Sequence, residues 1–171
     1  PFNKATVEQF RGTLATASFS KCVYDPSLNT FTFTGTNIGS ALTGGGDVLS
    51  LIDPTKFALK INNAGSAVPL TFESATVSDG KLVMSLTSAS ASTLEQTASL
   101  GGTGTQADKW TIATGFIKPG VNSNTATSST ELQFAPSIEL GVNSRNAGQV
   151  FVEEGFDEAG NPVGSGADGG I

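Results

Sequence analysis

The chain has 171 residues, of which only 14% are Asp, Glu, Lys or Arg, against roughly 25% in an average soluble domain. Its formal charge is −6, and nine basic residues scattered along it form no cluster that would hold nucleic-acid phosphates. It has no histidine and one cysteine, Cys22, which closes histidine-based nucleophilic triads, intrachain disulfides and zinc sites built from thiolate and imidazole.

No apolar run approaches the roughly 20 residues of a spanning helix, so no membrane span is expected. The chain starts at Pro1 and not at Met, which fits removal of a leader peptide. Its solvated surface must be built from Ser, Thr, Asn, Gln and Gly, a composition frequent in extracellular and assembled proteins.

Residues 3–11 (NKATVEQFR) carry the best helical pattern: Asn3 can cap, and Val7, Phe10 and Leu14 share a face. An extended N-terminal arm is the rival reading of the same segment. Strands are predicted from there on. Phe19–Tyr24 and Thr30–Thr34 flank the turn DPSLN, and Phe31 and Phe33 alternate with Thr30, Thr32 and Thr34. Lys56–Ile61 alternates again through Phe57, Leu59 and Ile61.

The clearest hairpin is 68–87, in which Val68, Leu70 and Phe72 alternate on the way in and Leu82, Met84 and Leu86 on the way out, either side of Ser78-Asp79-Gly80. A short helix is predicted around Ser92–Ala98 and a strand over Trp110–Ile117. VNSNTATSST reads as a polar loop. Glu131–Ala135, Ser137–Val142 and Gln149–Glu154 are short strands, and EAGN turns the chain toward Pro162-Val163.

About eight short strands with turn signals between them predict an all-β fold with at most one short N-terminal helix. An antiparallel β-sandwich or jelly roll with extended termini is expected. The segments are an arm or short helix over 1–18, a sandwich domain over 19–154, and a C-terminal hairpin with a Gly-rich tail over 155–171.

Catalysis is disfavoured. Gly44-Gly45-Gly46 and Gly101–Gly104 lack the Lys-Ser/Thr ending and strand–loop–helix setting of a phosphate loop. Paired carboxylates are the one catalytic option left. The expected surroundings of such a site, sugars stacked on Trp and Tyr, are thinly supplied by one Trp and one Tyr. Glu153, Glu154, Asp157 and Glu158 put four carboxylates into six residues beside Asn161, an oxygen-rich segment that could take Ca²⁺ but matches no EF-hand. Asp47, Asp53 and Asp108 are isolated oxygen donors in loops.

The leading functional expectation is a structural subunit that assembles with copies of itself into an extracellular filament, tube or virion-type particle. Low charge weakens repulsion between packed copies, and small polar residues allow close interfaces. The N-terminal segment supplies a mechanism, β-strand addition to a neighbour, with Phe2, Val7, Phe10, Leu14 and Phe19 as anchors. An arm folded back on its own sheet is the competing arrangement. The runner-up is an extracellular adhesin or carbohydrate-binding module, with the cell surface or a particle surface as its place.

Overall fold

The computed structural model describes residues 15–43, 46–63, 65–119 and 122–136, with the backbone of two short strands at 155–156 and 162–163. Residues 1–136 form one compact unit and 137–171 another. The fold is all-β.

In the first unit, β1 (Thr16–Asp25), β2 (Thr30–Thr36), β4 (Phe72–Ser78), β5 (Lys81–Leu86), β7 (Ser123–Asn124) and β9 (Gln133–Phe134) make one sheet. Its order is β4-β5-β2-β1-β7, with β9 also on β1. A second sheet runs β3-β6-β8, from Phe57–Lys60, Lys109–Ile112 and Thr127–Glu131. In the second unit β10 (Gly155–Phe156) pairs antiparallel with β11 (Pro162–Val163).

Burial follows the alternation of the strands. Phe31 and Phe33 of β2 are fully buried, as are Leu82 and Met84 of β5 and Leu59 and Trp110 of the second sheet. The two sheets share this core. The Phe33 ring lies 5.2 Å from that of Phe57 and 5.9 Å from that of Trp110, both edge-on, the geometry that aromatic quadrupoles favour. Phe19 and Phe116 close the same cluster.

β1 keeps its apolar residues inside by means of one extra residue. Ala17 and Phe19 face inward, Ser20 and Lys21 are both exposed, and Cys22 and Tyr24 face inward again. The register against β2 shifts between Phe19 and Lys21, so a β-bulge resets the period of two. Gly35 lies opposite: a Cβ there would run into the Ser18 carbonyl oxygen, so only glycine admits the approach. The β4–β5 turn is as expected, with Asp79 and Gly80 at φ 49° and 71°, the left-handed pair of a two-residue hairpin.

Four local expectations are corrected. The expected antiparallel pairing is incomplete, because β7 and β9 both run parallel to β1. The polar stretch expected to be a loop contains β7 and β8. TSSTE of β8 has no apolar residue to announce it, and its order comes from pairing with β6 and from the 3.7 Å Lys109–Glu131 ion pair. The helix expected at Ser92–Ala98 is α2 (Ser88–Glu95), after the single turn α1 (Ile38–Ala41). Thr87 Oγ1 accepts from Ser90 N at 3.3 Å and caps α2, while Ala91 and Leu94 are buried. The strand expected over Trp110–Ile117 stops at Ile112, and Ile117 makes only an isolated bridge to Ile52. No helix among the described residues is long and apolar enough to cross a membrane.

Candidate functional site

The outer face of the large sheet is the most distinctive surface among the described residues. Because side chains alternate, the strands that bury Phe31, Phe33 and Met84 turn Thr and Val outward. Register makes this a row: Val23 is opposite Thr32, Thr32 opposite Val83, and Val83 opposite Thr76. The next row is Asp25, Thr30, Ser85 and Ser74. Lys21 lies opposite Thr34, and Lys81 opposite Ser78. The centre of the face is therefore uncharged, small and largely β-branched, with Lys21, Asp25, Glu73 and Lys81 around its margin.

Some backbone groups of β1, β3 and β4 are bonded by other parts of the chain. At β4, Ala75 N donates to Asp47 Oδ1 at 3.0 Å, and Ala75 O accepts from Val48 N at 2.7 Å. At β3, Leu59 O accepts from Val68 N at 2.8 Å. Along β1, the carbonyls of Ala17, Phe19 and Tyr24 accept from Thr125 N, Thr127 Oγ1 and Ala135 N. A strand arriving from another molecule would find these groups taken. The Asp47 carboxyl is held below the ordinary aspartate range by the amides of Leu49 and Ala75. It stays an acceptor throughout the neutral range.

A cleft of about 300 Å³ lies between Ala41, Thr43, Ser50, Leu51, Ile117 and Lys118. Leu51 is half exposed there, and Lys118 Nζ donates to Ser50 O at 2.9 Å. Asn122 ties one wall: its Oδ1 accepts from Ala15 N and its Nδ2 donates to Ala41 O.

Of the residues singled out as arm anchors, Phe19 lies inside β1 and is buried, its ring edge-on to Phe33 and Phe116. Its own sheet accounts for its apolar character. Phe2, Val7, Phe10 and Leu14 lie outside the described residues, as do Glu153, Glu154, Asp157 and Glu158. No group of three His, Cys, Asp or Glu side chains able to hold a metal occurs among the described residues. Trp110 and Tyr24, the only Trp and Tyr of the chain, are fully buried and offer no platform to a sugar. The Tyr24 hydroxyl donates to Glu95 Oε1 at 3.0 Å; burial first, and Glu95 second, push its pKa well above the usual tyrosine value. Burial likewise pushes the Cys22 thiol up, leaving it unreactive.

Sequence reasoning passed over Asp47 and Asp108 as isolated loop residues. Asp47 plugs a sheet edge, and Asp108 is a buried carboxylate that gathers two loops: Asn62 N donates to Oδ1 at 2.8 Å and Gly101 N to Oδ2 at 2.7 Å. No local signal marks either role, since both depend on partners more than five residues away.

No family model matches the chain, and no curated protein matches it. Two solved structures align with it at 16% identity. One is the S-layer protein rSbsC(31-844), with a TM-score of 0.36 over 70% of this chain and 14% of that one. The other is the N-terminal part of the bacterial S-layer protein SbsC, with a TM-score of 0.33 over 77% of this chain and 24% of that one. The chain thus spans under a quarter of each, and likeness at this level carries no argument about what it does.

Proposed function

We propose that this chain is a non-enzymatic structural subunit that assembles with copies of itself outside the cell. The observation that carries this reading is the outer face of the large sheet, centred on Val23, Thr32, Val83 and Thr76. Only 14% of residues are charged, which weakens repulsion between packed copies. The uncharged face lets two of them meet without burying an unpaired charge, and its partner is a second copy of the chain. The composition, poor in charge and rich in small polar residues, supports a place in an extracellular filament, tube or shell. Face-to-face contact is favoured over strand addition, because the chain itself takes up part of the β3 and β4 edges, at Leu59 and Ala75.

Electron microscopy and light scattering of the purified protein test this directly. Regular high-mass particles are expected; a monodisperse monomer across the accessible concentration range would overturn it. The cleft beside Leu51 and Lys118 supports the second reading, a binding module for a non-glycan ligand, and the monomer result would favour that module.

A further inference from the structure

The charged residues around the outer face of the large sheet are sorted by sign. Lys21 of β1 and Lys81 of β5 stand at one end, opposite Thr34 and Ser78. Asp25 lies four residues further along β1, in the row of Thr30, Ser85 and Ser74. Glu73 joins it at that end. The register of β4 against β5 shifts between Phe72 and Ser74, so Glu73 and Ser74 share the outside while Phe72 and Ala75 face inward. The two charged rows are about 13 Å apart at ordinary strand rise, with the uncharged row of Val23, Thr32, Val83 and Thr76 midway. Lys21, Glu73 and Lys81 are exposed and Asp25 is half-buried. None of the four has an ion-pair partner among the described residues. Ser27 orients Asp25, donating to its Oδ1 from N at 2.9 Å and from Oγ at 2.6 Å. Asp79 sits beyond the lysine end, in the turn after the last paired residues Ser78 and Lys81.

We propose that two copies of the chain pair through this face about a two-fold axis that runs along its central row. The proposal rests on the self-association reading above and fixes the orientation of the contact. Rotation about that axis lays the lysine end of each copy on the acidic end of the other, with strands antiparallel across the interface. Lys21 comes over Asp25 of the second copy, and Lys81 over the part of the sheet where Glu73 of that copy stands. Each pairing occurs twice. A two-fold axis along the strands would instead set lysine against lysine and carboxylate against carboxylate, and such like-charge contacts are costly. On the chosen axis the central row meets its own copy, and small uncharged Thr and Val suit a self-contact. Ion pairs at such a rim add little affinity, but they select the orientation and exclude the wrong one. A two-fold contact closes on itself, so the pair is the unit from which a larger particle is built.

Sedimentation velocity over a concentration series reads the concentration at which half of the chain has left the monomer. Lys21→Glu with Lys81→Glu makes both ends of the face acidic, and Asp25→Lys with Glu73→Lys makes both basic. Either change should raise that concentration at least about tenfold. All four substitutions together restore ends of opposite sign and should return association to the parent's range. Net charge alone predicts otherwise, because the variant with two basic ends is less negative than the parent and would associate more readily. A thermal melt near the parent's checks that each variant is folded. If loss of the Asp25 bonds to Ser27 unfolds the chain, Lys81→Glu and Glu73→Lys, singly and together, make the same comparison. The two-fold pairing would be overturned, with self-association left standing, by a parent that associates while its variants match it or follow net charge. A fourfold variant that stays monomeric with a native melt would overturn it equally. A parent that stays monomeric at every concentration would overturn both the pairing and the self-association reading.

Discussion

The two faces of β2 differ by one residue step and do opposite work. Phe31 and Phe33 point inward, fully buried, and meet aromatic rings from both sheets. Thr30, Thr32 and Thr34 point outward, Thr32 between Val23 and Val83, Thr30 between Asp25 and Ser85, and Thr34 beside Lys21. The inner face carries the folding energy, and its apolar area has nowhere else to go. The outer face contributes little to folding and is free to serve contact. Substitutions on the two faces should therefore separate stability from association.

The largest effect is expected at Phe33→Ala, which empties the centre of the aromatic cluster. A loss of about 3–5 kcal/mol is expected in chemical denaturation. A loss below about 1 kcal/mol would mean that the cluster does not organise the core. Gly35→Ala comes next, because its new Cβ meets the Ser18 backbone at the β1 bulge and not a side chain that could yield. About 1–3 kcal/mol is expected, as for other overpacked sites. An unchanged melting curve would show that the bulge relaxes freely. Tyr24→Phe removes the hydroxyl bond to Glu95 and should cost roughly 0.5–1.5 kcal/mol, read as a shift in the denaturation midpoint.

A subtler effect concerns pH. The native amides of Leu49 and Ala75 depress the Asp47 pKa, so its contribution is fully present above the ordinary aspartate value. It is lost as pH falls through the lower, native value. Melting temperature followed from neutral pH downward should fall below about pH 4, and fall less steeply in Asp47→Asn. Identical acid limbs in the two proteins would remove Asp47 as the β4 edge plug.

How much of this was legible in the sequence depends on which physics set each element. Where burial alone decides, as in Phe31/Phe33 or Leu82/Met84/Leu86, alternation marked strand and inward face together. The Asp79-Gly80 turn was equally plain, because few residues accept positive φ. β8 was not legible: its TSSTE has no apolar period, and a partner strand creates it. The extra residue in β1 hid behind an ordinary-looking run, since only the partner register shows that Ser20 and Lys21 share the outside. The outer face was half visible. Its Thr row could be read along β2, but Val23, Val83 and Thr76 join it only through cross-strand pairing. Asp108 and its two loop amides are a tertiary arrangement that no local spacing encodes.

Thr32→Glu tests the division between the faces most directly, because it puts one charge at the middle of the outer row. Surface substitutions of this kind usually change stability by no more than about 0.5 kcal/mol, so the thermal melt should be nearly that of the parent chain. Sedimentation velocity on both proteins at matched concentration should then show high-mass species for the parent and monomer for Thr32→Glu. Assembly of the variant indistinguishable from the parent's would contradict the assignment of this face to self-association.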